Sequence, residues 1–514
     1  MNWLNDAVVY EIYPQSFYDA NGDGIGDLEG IIQKLDYIKD CGFTDIWLNP
    51  ICDSTFYDAG YDVTDFYKVA PRYGTNDDYK RLCDEVHKRG MHIIFDLVAG
   101  HTSVMHPWFL QSAKDEKNQY TNRYIWTSST FNEDEDGYNC ISGSHERNGK
   151  YVTNFFWSQP ALNYGFAHPN KDWQLPVTHP DCIATKEELK NIIKFWMELG
   201  TDAFRVDMAA SLIKGDTDGS FTKALWGEIR EFMETLNPDA LLIAEWGFPT
   251  DAINSGFHLD FLLHSGNKAY TSLFRYEDGR NTTDLFVGNS YFSKEGKGDI
   301  SNFLDRFMYD LENTKGKGYI GLITGNHDIP RLAYKRDVDE LKTALAFVFT
   351  VPGVPFVYYG DEIGMDYIDN LPSKEGGYNR TGSRTPMQWN GEKNHGFSTS
   401  ETPYLPTDQR ENAPTVLKQL NDENSVLSVT KKLIEIHKSH KALQADGKFK
   451  VVLASYPFVF ERTDGEETIF VAINPSGKDL CIEKPQFESV LLSQNAEIGE
   501  KIELGSAGFV ILQC

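Results

Sequence analysis

Up to about residue 445, short apolar runs alternate with longer stretches whose apolar residues recur every three or four positions. The short runs are AVVYEIYP from Ala7, DIWLNP from Asp45, HIIFDLV from His92, TDAFRVD from Thr201, LLIAEWG from Leu241, FHLDF from Phe257, YIGLITG from Tyr319 and VPFVYYG from Val354. The stretches between them, among them IIQKLDYIKDCGF, DDYKRLCDEVHKRG and KEELKNIIKFWMELG, read as amphipathic helices. Strand, helix, strand in this rhythm predicts βαβ units and a parallel sheet. Eight strands are the number that closes a (β/α)8 TIM barrel of the α/β class.

Two stretches break the rhythm. Between HIIFDLV and TDAFRVD lie about a hundred residues rich in Trp, Tyr, Asn, Ser and Gly, too many for an ordinary βα loop, which predicts an inserted subdomain after the third strand. Beyond residue 445 the chain turns to short alternating segments (FKVVLASYPFVFER, ETIFVAINPS, FVILQC) separated by turn residues, the pattern of a small antiparallel β domain. The expected division is barrel over 1–101, insertion over 102–180, barrel again over 181–445, and a C-terminal β-sandwich domain over 446–514.

In such a barrel the chemistry sits at the C-terminal ends of the strands. Four runs end there in acids or histidines: DLVAGH (Asp96, His101), FRVD (Arg205, Asp207), LLIAEWG (Glu245) and ITGNHD (His327, Asp328). One strand-end carboxylate is ordinarily a helix cap or an ion-pair partner; four on neighbouring strands are hard to explain that way. Carboxylates converging with an arginine and two histidines, and no nucleophilic Ser or Cys motif, are the equipment of glycoside hydrolysis. In a retaining enzyme one ionised carboxylate attacks the anomeric carbon, while a second, about 5–5.5 Å away, protonates the leaving oxygen and then activates water.

In order and spacing these four segments resemble the signature regions of the α-amylase family of glycoside hydrolases, family thirteen, and the similarity runs over nearly the whole chain. The resemblance implies that Asp207 is the nucleophile, Glu245 the general acid/base and Asp328 the group holding the sugar's 2- and 3-hydroxyls. It also implies that Arg205, His101 and His327 bind the same sugar, with Asp96 positioning them. GIGDLEGIIQKLDYI, YDAGYDV, SQPALNY and RTPMQW are similar to the oligo-1,6-glucosidase and α-glucosidase branch, which includes trehalose synthases and sucrose isomerases. That likeness implies that Asp58 pairs with Arg384 to close the pocket around a terminal glucose, on whose apolar face Tyr61 stacks. The expected activity is release of glucose from the non-reducing end of short α-glucans or disaccharides through a covalent intermediate on Asp207. A transglycosylase or isomerase of the same branch is the alternative; a non-catalytic binding relative fits less well, because all three carboxylates are present. Three positions depart from the family: Gly100 where asparagine is usual, Ala161 where relatives have QPDLN, and Met208 after the nucleophile, which leaves the linkage preference open.

DANGDGIGD, from Asp19 to Asp27, sets oxygen ligands at alternate positions around a glycine turn, as calcium loops do. Asp19, Asn21, Asp23, Asp27 and the carbonyl of Ile25 are the candidate ligands of a structural calcium; Gly30 stands where an EF-hand has its bidentate glutamate.

Composition narrows the partners. Against 49 Lys+Arg stand 76 Asp+Glu, a formal net charge of −27, so the long-range field repels nucleic acid and anionic membranes and suits a small neutral α-glucoside. No basic-then-apolar leader and no membrane-length apolar run occurs, and the seven cysteines are scattered without a C-x-x-C pair, which makes a reducing cytoplasm the expected location.

Overall fold

The computed structural model describes residues 2–131, 136–143, 145–262, 268–275 and 289–514. Eight parallel strands close into a barrel: β1 (Val9–Ile12), β2 (Asp45–Leu48), β3 (His92–Leu97), β4 (Ala203–Val206), β5 (Leu241–Ala244), β6 (Leu259–Phe261), β7 (Tyr319–Ile323) and β8 (Val354–Tyr358). Each pairs with its sequence neighbours, and β1 pairs with β8 to complete the ring. Nearly every strand residue is buried, as a sheet filled inside and covered by helices outside requires. The helix Leu28–Cys41 starts on Asp27, whose Oδ1 accepts from Gly30 N at 2.6 Å, and stops at Gly42 in the left-handed region (φ 100°). Asn76–Lys88 starts on a reciprocal capping box between Thr75 and Asp78.

Register sets the chemistry at one level. Asp96 pairs with Arg205 and Val206 with Ala244, so Asp207 and Glu245 leave adjacent strands side by side. The chain between β3 and the helix Pro180–Glu198 covers that end of the barrel with a short helix (Pro107–Ser112), a ribbon of Cys140–Ile141 with Tyr151–Val152, and a small core of Ile125, Val152, Ala161, Phe166 and Trp173. Ala161, where an aspartate was expected from relatives, is fully buried in that core and bridges to His101, an apolar slot with no place for a charge.

The C-terminal strands are β9 (Lys448–Ala454), β10 (Phe458–Thr463), β11 (Thr468–Asn474), β12 (Leu480–Glu483), β13 (Ser489–Ile498) and β14 (Lys501–Gln513). They form one hydrogen-bonded antiparallel sheet of six strands. The cause is the length of β14: its first half lies between β12 and β13, its second between β11 and β13, and register shifts in β13 follow the change. One face joins the barrel core through Phe458, Phe460, Val471 and Phe509; the other carries a small core around Val459, Phe470 and Leu512. Among the described residues no helix is long and apolar enough to cross a membrane.

Candidate active site

Arg205, almost wholly buried, organises the acids. Its Nη1 donates to Asp96 Oδ1 at 2.7 Å and lies 3.3 Å from Asp207 Oδ1, and its Nη2 lies 2.8 Å from Glu245 Oε1. One guanidinium thus touches three carboxylates, the fork geometry that lysine cannot supply. Asp96 is fixed further by Trp47 Nε1 (3.2 Å) and the Tyr61 hydroxyl (2.9 Å), both donating to Oδ2. Glu245 Oε2 accepts from the backbone N–H of Met208 at 2.9 Å, and Met208 itself is held at φ 44°, ψ 46° directly after Asp207. Burial, then the charge of Glu245, pushes the Asp207 carboxyl well above the usual carboxylate range, with Arg205 opposing. Arg205, within reach of both acids, favours the charged form that a nucleophilic carboxylate needs.

On the β7 side, His327 lies between two carboxylates: Nδ1 is 3.2 Å from Glu11 Oε1 and Nε2 3.1 Å from Asp328 Oδ2. Burial opposes its charge, but Asp328 and Glu11 outweigh burial and lift the imidazole to about 9. In return, and against its own burial, Asp328 is held well below the usual range by His327, Arg380 and Arg384. Tyr61 stacks on His327 with ring centroids 5.2 Å apart and 17° between planes.

The expected pairing of Asp58 with Arg384 is not what the structure shows. Asp58 Oδ1 pairs with Arg380 Nη2 at 3.0 Å, and Arg380 Nη1 reaches Asp328 Oδ1 at 2.7 Å. Arg384 is drawn beneath the site: its Nε donates to the His327 carbonyl at 2.8 Å and its Nη2 reaches Asp328 Oδ1 at 3.2 Å. Both arginines come from the turn Tyr378–Ser383 and the residue that ends it, and only Arg380 projects across the gap between Asp58 and Asp328. Gln159, from SQPALNY, donates to the other Asp58 oxygen at 2.9 Å.

His101 has both ring nitrogens engaged inside the protein. Nε2 meets the Tyr61 carbonyl at 3.0 Å and Nδ1 meets Asn154 Nδ2 at 3.3 Å, so Nδ1 accepts and Nε2–H donates; burial lowers its pKa to about 4, which keeps it neutral. Asn154 went unnoticed in the sequence. Its amide also reaches Ser211 Oγ (2.9 Å) and Met208 Sδ (3.8 Å), and its Oδ1 accepts from the buried Lys214 at 3.0 Å. It ties the inserted segment to the strand ends of both His101 and Asp207. The same network fills the space beside Gly100: a Cβ there would stand 2.7 Å from Asn154 Nδ2 and 3.1 Å from Ser211 Oγ, so a larger residue needs these side chains to shift.

The loop Asp19–Asp27 is a closed turn with its carboxylates aimed at its own backbone. Asp19 accepts from Gly22 N and Gly24 N, both at 2.7 Å, Asn21 from Asp23 N, Asp23 from Ile25 N, and Asp27 from Ala20 N and Asn21 N. The donor set, carboxylate, amide and carbonyl oxygen alone, has the hard-oxygen chemistry calcium takes. Among the described residues, however, no group of three acidic, histidine or cysteine side chains is arranged to hold a metal ion, so Asp19 and Asp27 would each have to turn an oxygen inward to hold one.

A parallel barrel whose strand ends gather three carboxylates on one buried arginine, with a fourth held between two arginines and an imidazolium, is the framework of a glycoside-processing enzyme. A model of the alpha amylase catalytic domain matches residues 11–446. The oligo-1,6-glucosidase of Parageobacillus thermoglucosidasius is 30% identical, over 98% of this chain and 96% of its own. A trehalose synthase/amylase of Mycolicibacterium smegmatis is 32% identical, over 89% of this chain and 80% of its own. Among solved structures, the trehalose-6-phosphate hydrolase of Bacillus licheniformis superposes with a TM-score of 0.82 at 25% identity over the whole of both chains. The trehalulose synthase of Pseudomonas mesoacidophila shares the fold (TM-score 0.83, 23% identity, 100% of this chain and 99% of its own). The chain belongs to the alpha-amylase family and is a glycoside hydrolase.

Proposed function

We propose that the protein is a retaining, exo-acting α-glucosidase that takes short neutral α-glucosides one glucose at a time. Asp207 attacks the anomeric carbon while Glu245 gives its proton to the glycosidic oxygen; the C1–O bond breaks and a glucosyl ester forms on Asp207. Glu245, now a base, takes a proton from water as the water oxygen displaces Asp207, and glucose leaves with its configuration retained. The observation that carries this reading is the contact of the single Arg205 guanidinium with both Asp207 and Glu245, which balances a pair that must hold one proton and one charge. Asp328, kept ionised by its three cationic neighbours, can accept from the ring hydroxyls, and Asp58 with Arg380 recognises the end of the chain by charge-assisted hydrogen bonds.

The test is a time course of products from maltose, isomaltose, sucrose, trehalose and a long maltodextrin. Glucose is expected first from every substrate cleaved, with disaccharides preferred over the polymer. Mid-length fragments released before glucose would exclude the exo pocket, and a disaccharide isomer as main product would move the enzyme to the transferase reading. We place the enzyme in a reducing cytoplasm, a reading supported by the buried, unbridged thiols of Cys41, Cys52, Cys83 and Cys182.

We further propose that Asp19, Asn21, Asp23, Asp27 and the Ile25 carbonyl hold a calcium ion that pins the loop ahead of the helix Leu28–Cys41, with no part in the chemistry. Binding to the native state alone stabilises by about 2.7 kcal/mol at a hundredfold excess over the dissociation constant. Chelator is therefore expected to lower the melting temperature of the wild type and leave Asp23→Ala unmoved. Identical melting of dialysed wild type with and without calcium would remove the ion from this loop.

A further inference from the structure

Glu11 lies within β1, fully buried, where an apolar residue would ordinarily fill the core. Its Oε1 lies 3.2 Å from His327 Nδ1 and accepts from Asn49 Nδ2 at 3.1 Å. Oε2 has no hydrogen-bond partner, and neither has Asn49 Oδ1. Burial raises the Glu11 carboxyl, and His327 and then Asn49 oppose the rise. A carboxylate kept in the core with one oxygen unsatisfied costs free energy. As a mere acceptor for an imidazole N–H, a glutamine of the same shape would serve without a buried charge. What sets the carboxylate apart is therefore the charge itself.

That charge is aimed at one ring. His327 is buried, stacks with Tyr61 and Tyr13, and has a carboxylate at each nitrogen, Glu11 at Nδ1 and Asp328 at Nε2. Asn49 Nδ2, also 3.1 Å from Nδ1, is itself a donor; it steadies the Glu11 oxygen and cannot accept a ring proton. Burial works against a charged ring, but Asp328 and then Glu11 outweigh it and lift the imidazole to about 9. The other groups facing the pair cannot replace Glu11. Arg205 has the same sign as the ring, Asp96 is engaged by Arg205 at 2.7 Å, and burial holds the phenols of Tyr13, Tyr61 and Tyr358 neutral.

We infer that Glu11 is a positioning residue that acts through His327, holding that ring as an imidazolium so that Asp328 keeps a cation at its Oδ2. Arg380 and Arg384 both approach the other oxygen, Oδ1, at 2.7 and 3.2 Å, so among the described residues His327 is the cation found at Oδ2. A neutral ring would leave that oxygen without a charged partner and weaken the hold on Asp328. The inference rests on the reading of Asp328 as the carboxylate that accepts from the sugar's hydroxyls. It adds a residue two strands of chemistry did not reveal: Glu11 touches neither substrate nor the reacting acids, and sets the charge of the group that does.

The experiment follows the His327 ring by nitrogen NMR of histidine-labelled protein, its signal identified by its loss in His327→Gln. It is paired with kcat/KM against pH on α-glucosyl fluoride, which needs no proton from Glu245. The wild-type ring is expected to carry both protons until pH nears about 9. Glu11→Gln should lose the second proton about one unit lower or more, and the alkaline fall in kcat/KM should move with it; Glu11→Asp, which keeps the charge, should restore most of the shift. An alkaline fall that stays in place in Glu11→Gln, with the rate lowered equally at every pH, overturns the inference and leaves Glu11 a support of the core. So does a wild-type ring that carries a single proton well below pH of about 9, a measurement that requires no Glu11 variant to fold. Failure of the glucosidase reading shows separately, in the product course, and does not alter the protonation of the ring.

Discussion

Asp207→Asn is expected to lower turnover by about 10⁴-fold or more on every substrate, and Glu245→Gln by roughly 10²–10⁴-fold on substrates with poor leaving groups only. The two losses differ because the bonds they serve differ. Without the Asp207 carboxylate no glucosyl ester forms, whatever the leaving group. Without the Glu245 proton the departing sugar leaves as an alkoxide, which is slow, whereas fluoride leaves readily and its first step should survive. Stability should move the other way. Burial and the Glu245 charge already raise the Asp207 carboxyl, so an amide there removes a strained charge and should leave the melting temperature unchanged or higher. Near-normal hydrolysis of maltose or isomaltose by Glu245→Gln would cancel the acid/base assignment, and a large fall in the melting temperature of Asp207→Asn would mean that its lost activity is lost folding.

The barrel was legible because its strands are short, apolar and regularly interrupted, and because polar residues can close such a strand only where it emerges from the sheet. Asp96, Arg205, Asp207, Glu245 and Asp328 stand at those points, so their number and order in the sequence point to one cleft. What the sequence did not show depends on directions within irregular chain. Arg380 and Arg384 lie four residues apart in one turn, and only the capture of Arg384 by the His327 carbonyl leaves Arg380 to meet Asp58. Asn154 carries no motif at all; its place is visible only once the inserted segment folds back over Gly100. The C-terminal strands were recognisable by alternation, but alternation does not say that β14 is long enough to hold all its neighbours in one sheet.

Arg380→Ala is expected to lower kcat/KM on disaccharides by about 10²-fold, and Asp58→Ala by a similar factor, with the double variant little worse than either. Asp58 is nearly wholly buried, and burial raises its carboxyl while Arg380 first, then Arg384, opposes the rise. Taking Arg380 away leaves the burial and removes the larger opposing charge, so the Asp58 pKa rises further and the group tends to the neutral form. The sign of the pH effect follows: the defect of Arg380→Ala should deepen as pH falls and Asp58 takes up its proton, and should shrink toward alkaline pH. Asp58→Ala has no carboxyl to titrate and should show no such added acidic limb. Arg380→Lys restores the charge but not the fork that spans Asp58 and Asp328, and should recover only part of the activity. Arg384→Ala should look different, because Arg384 is buried beneath the pocket and holds the His327 backbone; its removal should lower the melting temperature as well as the rate. The measurement is a double-mutant cycle on maltose and isomaltose, repeated across pH. Additive losses for Asp58 and Arg380, or strong coupling of Asp58 to Arg384 in place of Arg380, would show that the pair closing this pocket in solution is not the one drawn between Asp58 Oδ1 and Arg380 Nη2.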